Sequence, residues 1–260
     1  LDQLSSTALE LNGGSIADAA GNNAILTLAA PGAAGSLSAD AALVIDGVAP
    51  TISVAINNGG DGFLNATEDS SVTISGSTTG AENGQTVSIN ISSSGGGTPI
   101  NTTATVNSNS YSVSGLDLSS LNDGTLNITA DVSDLAGNSA TQATDSTTKD
   151  TASPTITGVS STTAAGSYGI GDVINLTVSF DEDVVVTGTP ALQLETGTID
   201  RKAIFISGSG STTLTFQYTV QDGDTSADLD QLSSTALELN GGSIADAAGN
   251  NAILTLAAPG

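Results

Sequence analysis

At 260 residues the chain has room for about two domains of ordinary size, and its 27 acidic residues face only three basic ones, for a net charge of -24 and a pI near 4.1. That balance excludes nucleic acid and anionic membrane as natural partners and makes divalent cations the natural counter-charge. With no Cys, His, Trp or Met and only 3% aromatic residues, there is no disulfide framework, no thiolate or imidazole chemistry and no usual zinc ligand, and any core must be built from Val, Ile, Leu and Ala.

The chain begins with Leu1–Gly32, LDQLSSTALELNGGSIADAAGNNAILTLAAPG, and the same letters return unchanged at Leu229–Gly260. A long identical repeat points to recent tandem duplication, so the chain reads as part of an array whose period is cut inside a domain. Within residues 1–47, ALELNGGSI and AILTLAA read as strands, followed by a Gly/Ala/Ser-rich connection and ALVIDG; this C-terminal part of a split repeat is expected to be poorly ordered without partner strands. Asp46–Pro50 (DGVAP) and Asp150–Pro154 (DTASP) share the frame D-x-x-x-P followed by T-I-S or T-I-T, which marks two domain starts joined by stiff, extended connectors. The expected units are therefore 1–47, a complete domain at 48–151, and a second domain at 152–260 that lacks its last strand.

In the first complete domain apolar and polar residues alternate over 51–56, 71–77, 86–92, 102–107, 111–115, 126–133 and, weakly, 140–148, with NNGGDG, GAENG, SSSGGG and NDG as turns. Seven short strands at this spacing predict a sandwich of immunoglobulin type. The second domain repeats the pattern at 155–161, 173–180, 184–188, 191–196, 202–208 and 213–220, then the repeated ALELNGGSI and AILTLAA; only 228–235 could form a short helical turn. Phe180, Phe205, Phe216 and Tyr218 read as core rather than as a ligand platform. Arg201 and Lys202 read as a solvated pair on a strand edge.

The motif D-[AL]-A-G-N occurs at Asp18–Asn22, Asp134–Asn138 and Asp246–Asn250. It places an Asp and an Asn on a tight loop at a strand end, which suits Ca²⁺ and its six to eight hard oxygens, and equally suits an Asx turn that needs no ion. Acids also gather at Asp46 and Asp150 in the connectors, at Asp61 and Glu68, at Asp131, at Asp181–Asp183, and at Asp222, Asp224, Asp228 and Asp230. Like charges this close repel unless a cation sits among them. No EF-hand loop is present.

With DGVAPTISV, GGDGFLNATED, LNDGTLNITADVSDLAGN and KDTASP, the first complete domain resembles the bacterial immunoglobulin-like repeats of giant surface adhesins and biofilm-associated proteins. The second, with GDVINLTVSFDEDVVVTGTPALQLETG, LTFQYTVQDGDTSADLD and LNGGSIADAAGN, resembles a related repeat of the same proteins. The resemblance covers essentially the whole chain. It implies all-β, tandem immunoglobulin-like β-sandwich domains in an end-to-end array, Ca²⁺ at loops and domain junctions, an extracellular place on a bacterial surface or in secreted matrix, and a stalk role without catalysis. Carried over residue by residue, it points to Asp46, Asp61, Glu68, Asp131, Asp134, Asn138 and Asp150, and in the second domain to Glu182, Asp222, Asp224, Asp246 and Asn250, with Asp18 and Asn22 as the copy in the leading segment. The tryptophan often found in the middle strand of such repeats is replaced by Tyr111.

Partners implied are neighbouring repeats of the same chain, and no apolar run approaches membrane-spanning length. Two rivals are a matrix-forming surface protein that assembles identical chains head-to-tail by strand complementation, and a carbohydrate-binding β-sandwich. The few aromatic residues, most of them in strand patterns, weigh against the second. A hydrolase would need paired acids in an aromatic-lined cleft, for which the chain offers no constellation.

Overall fold

The structure, a computed structural model, describes residues 1–260. In the first complete domain nine strands form: β1 (Thr51–Ile52), β2 (Ala55–Ile56), β3 (Phe63–Leu64), β4 (Val72–Thr79), β5 (Thr86–Ser93), β6 (Ile100–Thr105), β7 (Ser110–Leu116), β8 (Gly124–Asp131) and β9 (Ala143–Lys149). β4 pairs with β1, β2 and β7 in one sheet, and the other runs β3-β9-β8-β5-β6, with β3 and β9 parallel. Period-two alternation decides which side chains meet: Val72 and Ile74 from the first sheet pack against Val87, Ile89, Ile91, Leu126 and Ile128 from the second, giving a sandwich with one aliphatic core.

Tyr111 on β7 is buried in that core and donates its hydroxyl to the Ser53 carbonyl at 2.6 Å, and burial pushes its pKa up to about 12. Only glycine fits opposite it, since a Cβ on Gly76 would lie 2.0 Å from the Ser53 carbonyl oxygen and 2.5 Å from the Tyr111 hydroxyl. At the end of β9, Lys149 is buried with all three ammonium protons placed: an ion pair with Asp69 at 2.9 Å and donations to the carbonyls of Leu118 and Leu121. The residue after it is Asp150, so this buried anchor fixes the point where the chain leaves the domain.

The second domain contains β10 (Ile156–Ser161), β11 (Val173–Thr187), β12 (Ala191–Glu195), β13 (Arg201–Ser207), β14 (Ser211–Thr219), β15 (Asp230–Gln231), β16 (Leu237–Glu238) and β17 (Ser243–Ala245). Their order is β10-β11-β14-β13-β12-β15, with β16 also on β12 and β17 on β11. The two strands expected at 173–180 and 184–188 are one strand of 15 residues, bent by an irregularity between Ser179 and Val184. Its first half joins β10 and β14 and its second half joins β17, so the sheet folds over a core of Val178, Phe180, Leu192, Leu214, Phe216, Ile244 and Leu256. Phe205 and Phe216 meet edge to face at 5.9 Å. The whole is all-β, two immunoglobulin-like sandwiches in tandem.

Several local expectations change. Residues 228–235 form β15 and a turn closed by Ala236 N–H on the Ser233 carbonyl, not a helical turn, because Asp230 and Gln231 pair with β12. AILTLAA at 252–258 is extended but joins no strand ladder: Ala252 N–H bonds to the Ile244 carbonyl, Ile253 bridges in parallel to Thr155, Leu256 N–H bonds to the Ser234 carbonyl, and the Ala257 carbonyl accepts from Gln231. β13 lies between β14 and β12 rather than at an edge, and its two bases are paired, Arg201 with Asp224 at 2.8 Å and Lys202 with Glu238 at 2.5 Å. The only helix is α1 (Leu37–Asp40), a single turn capped by the Ser36 hydroxyl and not foreseen in the sequence. In residues 1–47 the counterparts of β15, β16 and β17 form no strands, because what those strands pair with is β11 and β12.

Candidate metal centre at the domain junction

Each D-[AL]-A-G-N loop is closed by its own residues. In the second domain Asp246 Oδ1 accepts from Asn250 N–H and Oδ2 from Asn250 Nδ2, both at 2.8 Å, while Asp246 N–H returns to the Asn250 carbonyl. Asp134 with Asn138 and Asp18 with Asn22 make the same three bonds. The bond from Asn138 is the main reason the Asp134 carboxyl sits below the usual carboxylate range, and Asn22 does the same for Asp18. The loop is thus an Asx-type turn in all three places, whether or not an ion joins it.

What the loops do with the connectors is less local. Asn250 Nδ2 also donates to the Asp150 carbonyl at 2.8 Å, and Asn138 Nδ2 donates to the Asp46 carbonyl at 3.1 Å. The same asparagine therefore clamps the corresponding connector at both domain starts. At the second junction the first domain contributes too: Ala66 N–H donates to Asn250 Oδ1, Asn65 Nδ2 donates to the Ala248 carbonyl, and Leu64 accepts from Asp150 N–H. Asp150 is held by one domain through its N–H and by the other through its carbonyl.

Around this clamp three carboxylates converge. Asp150 from the connector, Glu182 from β11 and Asp246 from the loop bring one oxygen each to within 4.8 Å of one another. Asp246 is buried and the other two are half-buried. Burial first, and then the charges of Asp246 and Asp123, raise the Asp150 carboxyl above its ordinary pKa; burial, then Asp150, Asp246 and Asp181, do the same for Glu182. No base relieves them, since Lys149, Arg201 and Lys202 are each paired elsewhere. A set of hard oxygen donors with uncompensated negative charge fits Ca²⁺, whose remaining positions would fall to backbone carbonyls and water.

The other candidate residues do not join a triad. At the first junction Asp46 and Asp134 have no third carboxylate. Asp61 caps its own turn through Phe63 N–H, Glu68 accepts from Asn65 N–H, and Asp131 accepts from Gln142. Asp224 is filled by Arg201, Tyr218 and the N–H of Gln221. Asp222 lies in an exposed turn, and Asp18 and Asn22 are exposed. Asn65 and Ala66 carry part of the junction and went unnoticed in the sequence; the signal was there, because Asn65 and Glu68 form an N-x-x-E box, Asn65 Oδ1 accepting from Thr67 and Glu68 from Asn65 N–H.

No protein-family model and no curated protein matches this chain. Among solved structures it is similar to a tetra-tandem repeat from the extending region of a large adhesion protein, at 25% identity over 67% of this chain, with a TM-score of 0.35. The chain spans 42% of that structure's length. Others are the chicken CNTN1 FN1–FN3 domains, at 13% identity, 78% coverage of this chain, 62% of that one and a TM-score of 0.30, and red sea bream transglutaminase, at 11%, 62%, 27% and 0.26.

Proposed function

We propose that the chain is a set of extender repeats from the stalk of a large extracellular bacterial adhesin, supporting cell adhesion or biofilm formation, with Ca²⁺ stiffening its junctions and no catalysis. What carries the reading is the second junction, where a clamp built from both domains surrounds Asp150, Glu182 and Asp246. An ion there joins the connector, β11 and the loop, so the angle between two sandwiches is fixed by coordination in addition to hydrogen bonds. The chain's own residues set the angle; the ion supplies the charge that lets three acids remain ionised at close range.

The test is thermal and chemical unfolding of the whole chain in calcium and in excess chelator, with small-angle scattering for the maximum dimension. Extracellular calcium modules bind with dissociation constants on the order of 10⁻⁴–10⁻³ M, so ~10 mM calcium should stabilise the native state by about 1.4–2.7 kcal/mol. Glu182→Gln should remove most of that gain while leaving the chelated protein folded. An identical midpoint and an identical scattering profile in both buffers would reduce the junction to a purely hydrogen-bonded clamp.

A further inference from the structure

Residues 83–116 contain no charged side chain, the longest such run in a chain that carries 27 acids and three bases. They fold as β5, β6 and β7, and β6 and β7, joined by the turn at 107–110, are the outermost strands of their two sheets. Natural sheets protect such edges with charge, proline, bulges or shortness. The other outermost strands use these devices: β1, β2, β3, β15 and β16 are two residues long, β17 is three, and β7 and β10 run in irregular register against their neighbours. β6 uses none of them. Its six residues, Ile100–Thr105, hold neither charge nor proline and pair one-to-one with β5 over their whole length.

The pairing leaves a regular set of backbone groups free. Val106 N–H bonds to the Gln85 carbonyl, so by alternation Ala104, Thr102 and Ile100 turn their backbone groups to β5, and Thr105, Thr103 and Asn101 turn theirs away. No strand pairs with that side of β6, and the N–H and C=O groups of these three residues bond to nothing else in the chain. Their side chains are exposed on the outer face of the sheet.

We propose that this edge pairs with the same edge of a second copy of the chain, antiparallel about a two-fold axis at Thr103. Thr103 then faces Thr103 of the second copy and Asn101 faces its Thr105, each facing pair exchanging two N–H···O=C bonds. The free groups are self-complementary in this arrangement, and the contact closes on itself as a dimer. Charge selects the place: two chains of net charge -24 can approach closely only where acids are missing. On this face the nearest acid is Asp131 on β8, in the row of Thr103 and Ser88. Across the axis it lies five strand spacings, about 24 Å, from Asp131 of the second copy, well beyond the screening length of about 8 Å in physiological salt. Six residues a side make a small interface, so the dimer belongs to the weak class.

The experiment is sedimentation equilibrium of the full chain from micromolar to near-millimolar concentration, in chelator throughout so that the junction ion plays no part. Mass should rise from 25.2 kDa to twice that value and no further, at lower concentration when salt is added. Thr103→Lys sets like charges opposite one another on the axis and should raise the dissociation constant roughly fivefold or more. Because Thr103 is exposed, that variant should fold as the parent does. Register is read separately by cysteine, of which the chain has none. Facing residues of a hydrogen-bonded antiparallel pair have Cα atoms about 5.5 Å apart, within disulfide reach, so Thr103→Cys should oxidise to a cross-linked dimer. Thr148→Cys, exposed on β9 of the same sheet, should cross-link far more slowly. A single 25.2 kDa species throughout, association unchanged by Thr103→Lys, growth past two chains, or equal cross-linking by the two cysteines would each overturn the proposal.

Discussion

Residues 1–32 and 229–260 are one sequence in two environments. Both copies keep the same turns: Asn12 and Asn240 hold φ of 45° and 49°, Gly14 and Gly242 N–H close on the Leu11 and Leu239 carbonyls, and Leu28 and Leu256 N–H reach the Ser6 and Ser234 carbonyls. They differ in strands and burial. Leu237 and Ile244 are 5% and 2% exposed against β12 and β11, while their counterparts Leu9 and Ile16 are 42% and 47% exposed and belong to no strand. Turn chemistry is therefore written in the local sequence, whereas strand identity is conferred by the neighbour that accepts the ladder.

The sharpest way to break that comparison is to make the same truncation twice. Leu237→Ala should cost about 2–5 kcal/mol through lost burial and the cavity left behind, read from the urea midpoint of the second domain by tyrosine emission. Leu9→Ala, chemically the same change, should stay within about 0.5 kcal/mol. Equal costs at both sites would mean that the leading copy is packed against the rest of the chain.

The asparagine series is next in size. Asn250→Ala removes two donations, to Asp246 and the Asp150 carbonyl, and the acceptor for Ala66 N–H, and should cost about 1.5–3 kcal/mol because one partner is charged and the site is buried. Asn138→Ala loses the same clamp on Asp46 without the contact from the neighbouring domain, and should cost less. Asn22→Ala, on the exposed loop, should cost least of the three. An inverted order would detach the motif from the connectors.

Much of the fold was legible because alternation and turns agree: β4, β5, β7 and β8 fall within a few residues of the expected strands, and apart from Thr78 their buried positions are the apolar ones. Residues 252–258 alternate just as well yet form no strand, which only the partner could have decided. The site was legible in pieces. The D-[AL]-A-G-N loops and connector aspartates were visible as motifs, and Glu182 as one acid of a run. That Glu182 meets Asp150 and Asp246, whereas Asp224 is taken by Arg201 from β13, depends on strand order, which short-range charge patterning does not contain. Asn65 looked like one more asparagine before a Thr, and its role emerges only when Ala248 is placed opposite it.

The smallest expected effect concerns pH and separates the junction triad from the loop aspartates. In chelator, Asp150 and Glu182 have folded pKa values raised above their ordinary 3.8 and 4.5, so the native state takes up protons there before the unfolded chain does. Their ionisation destabilises the fold, and stability is gained as pH falls from the raised values to the ordinary ones. Asp134, Asp181 and Asp224 are shifted the other way, by hydrogen bonds from Asn138, Thr155 and Tyr218; their stabilisation is complete above the ordinary carboxylate range and is lost as pH falls through their lowered values. Acid titration should therefore show a shallow rise in midpoint followed by a fall, with Glu182→Gln flattening the rise and leaving the fall in place. Calcium should reverse the first limb, because protons then compete with the ion for the same oxygens. A rise that persists in Glu182→Gln would assign it to other acids and leave the triad without its electrostatic strain.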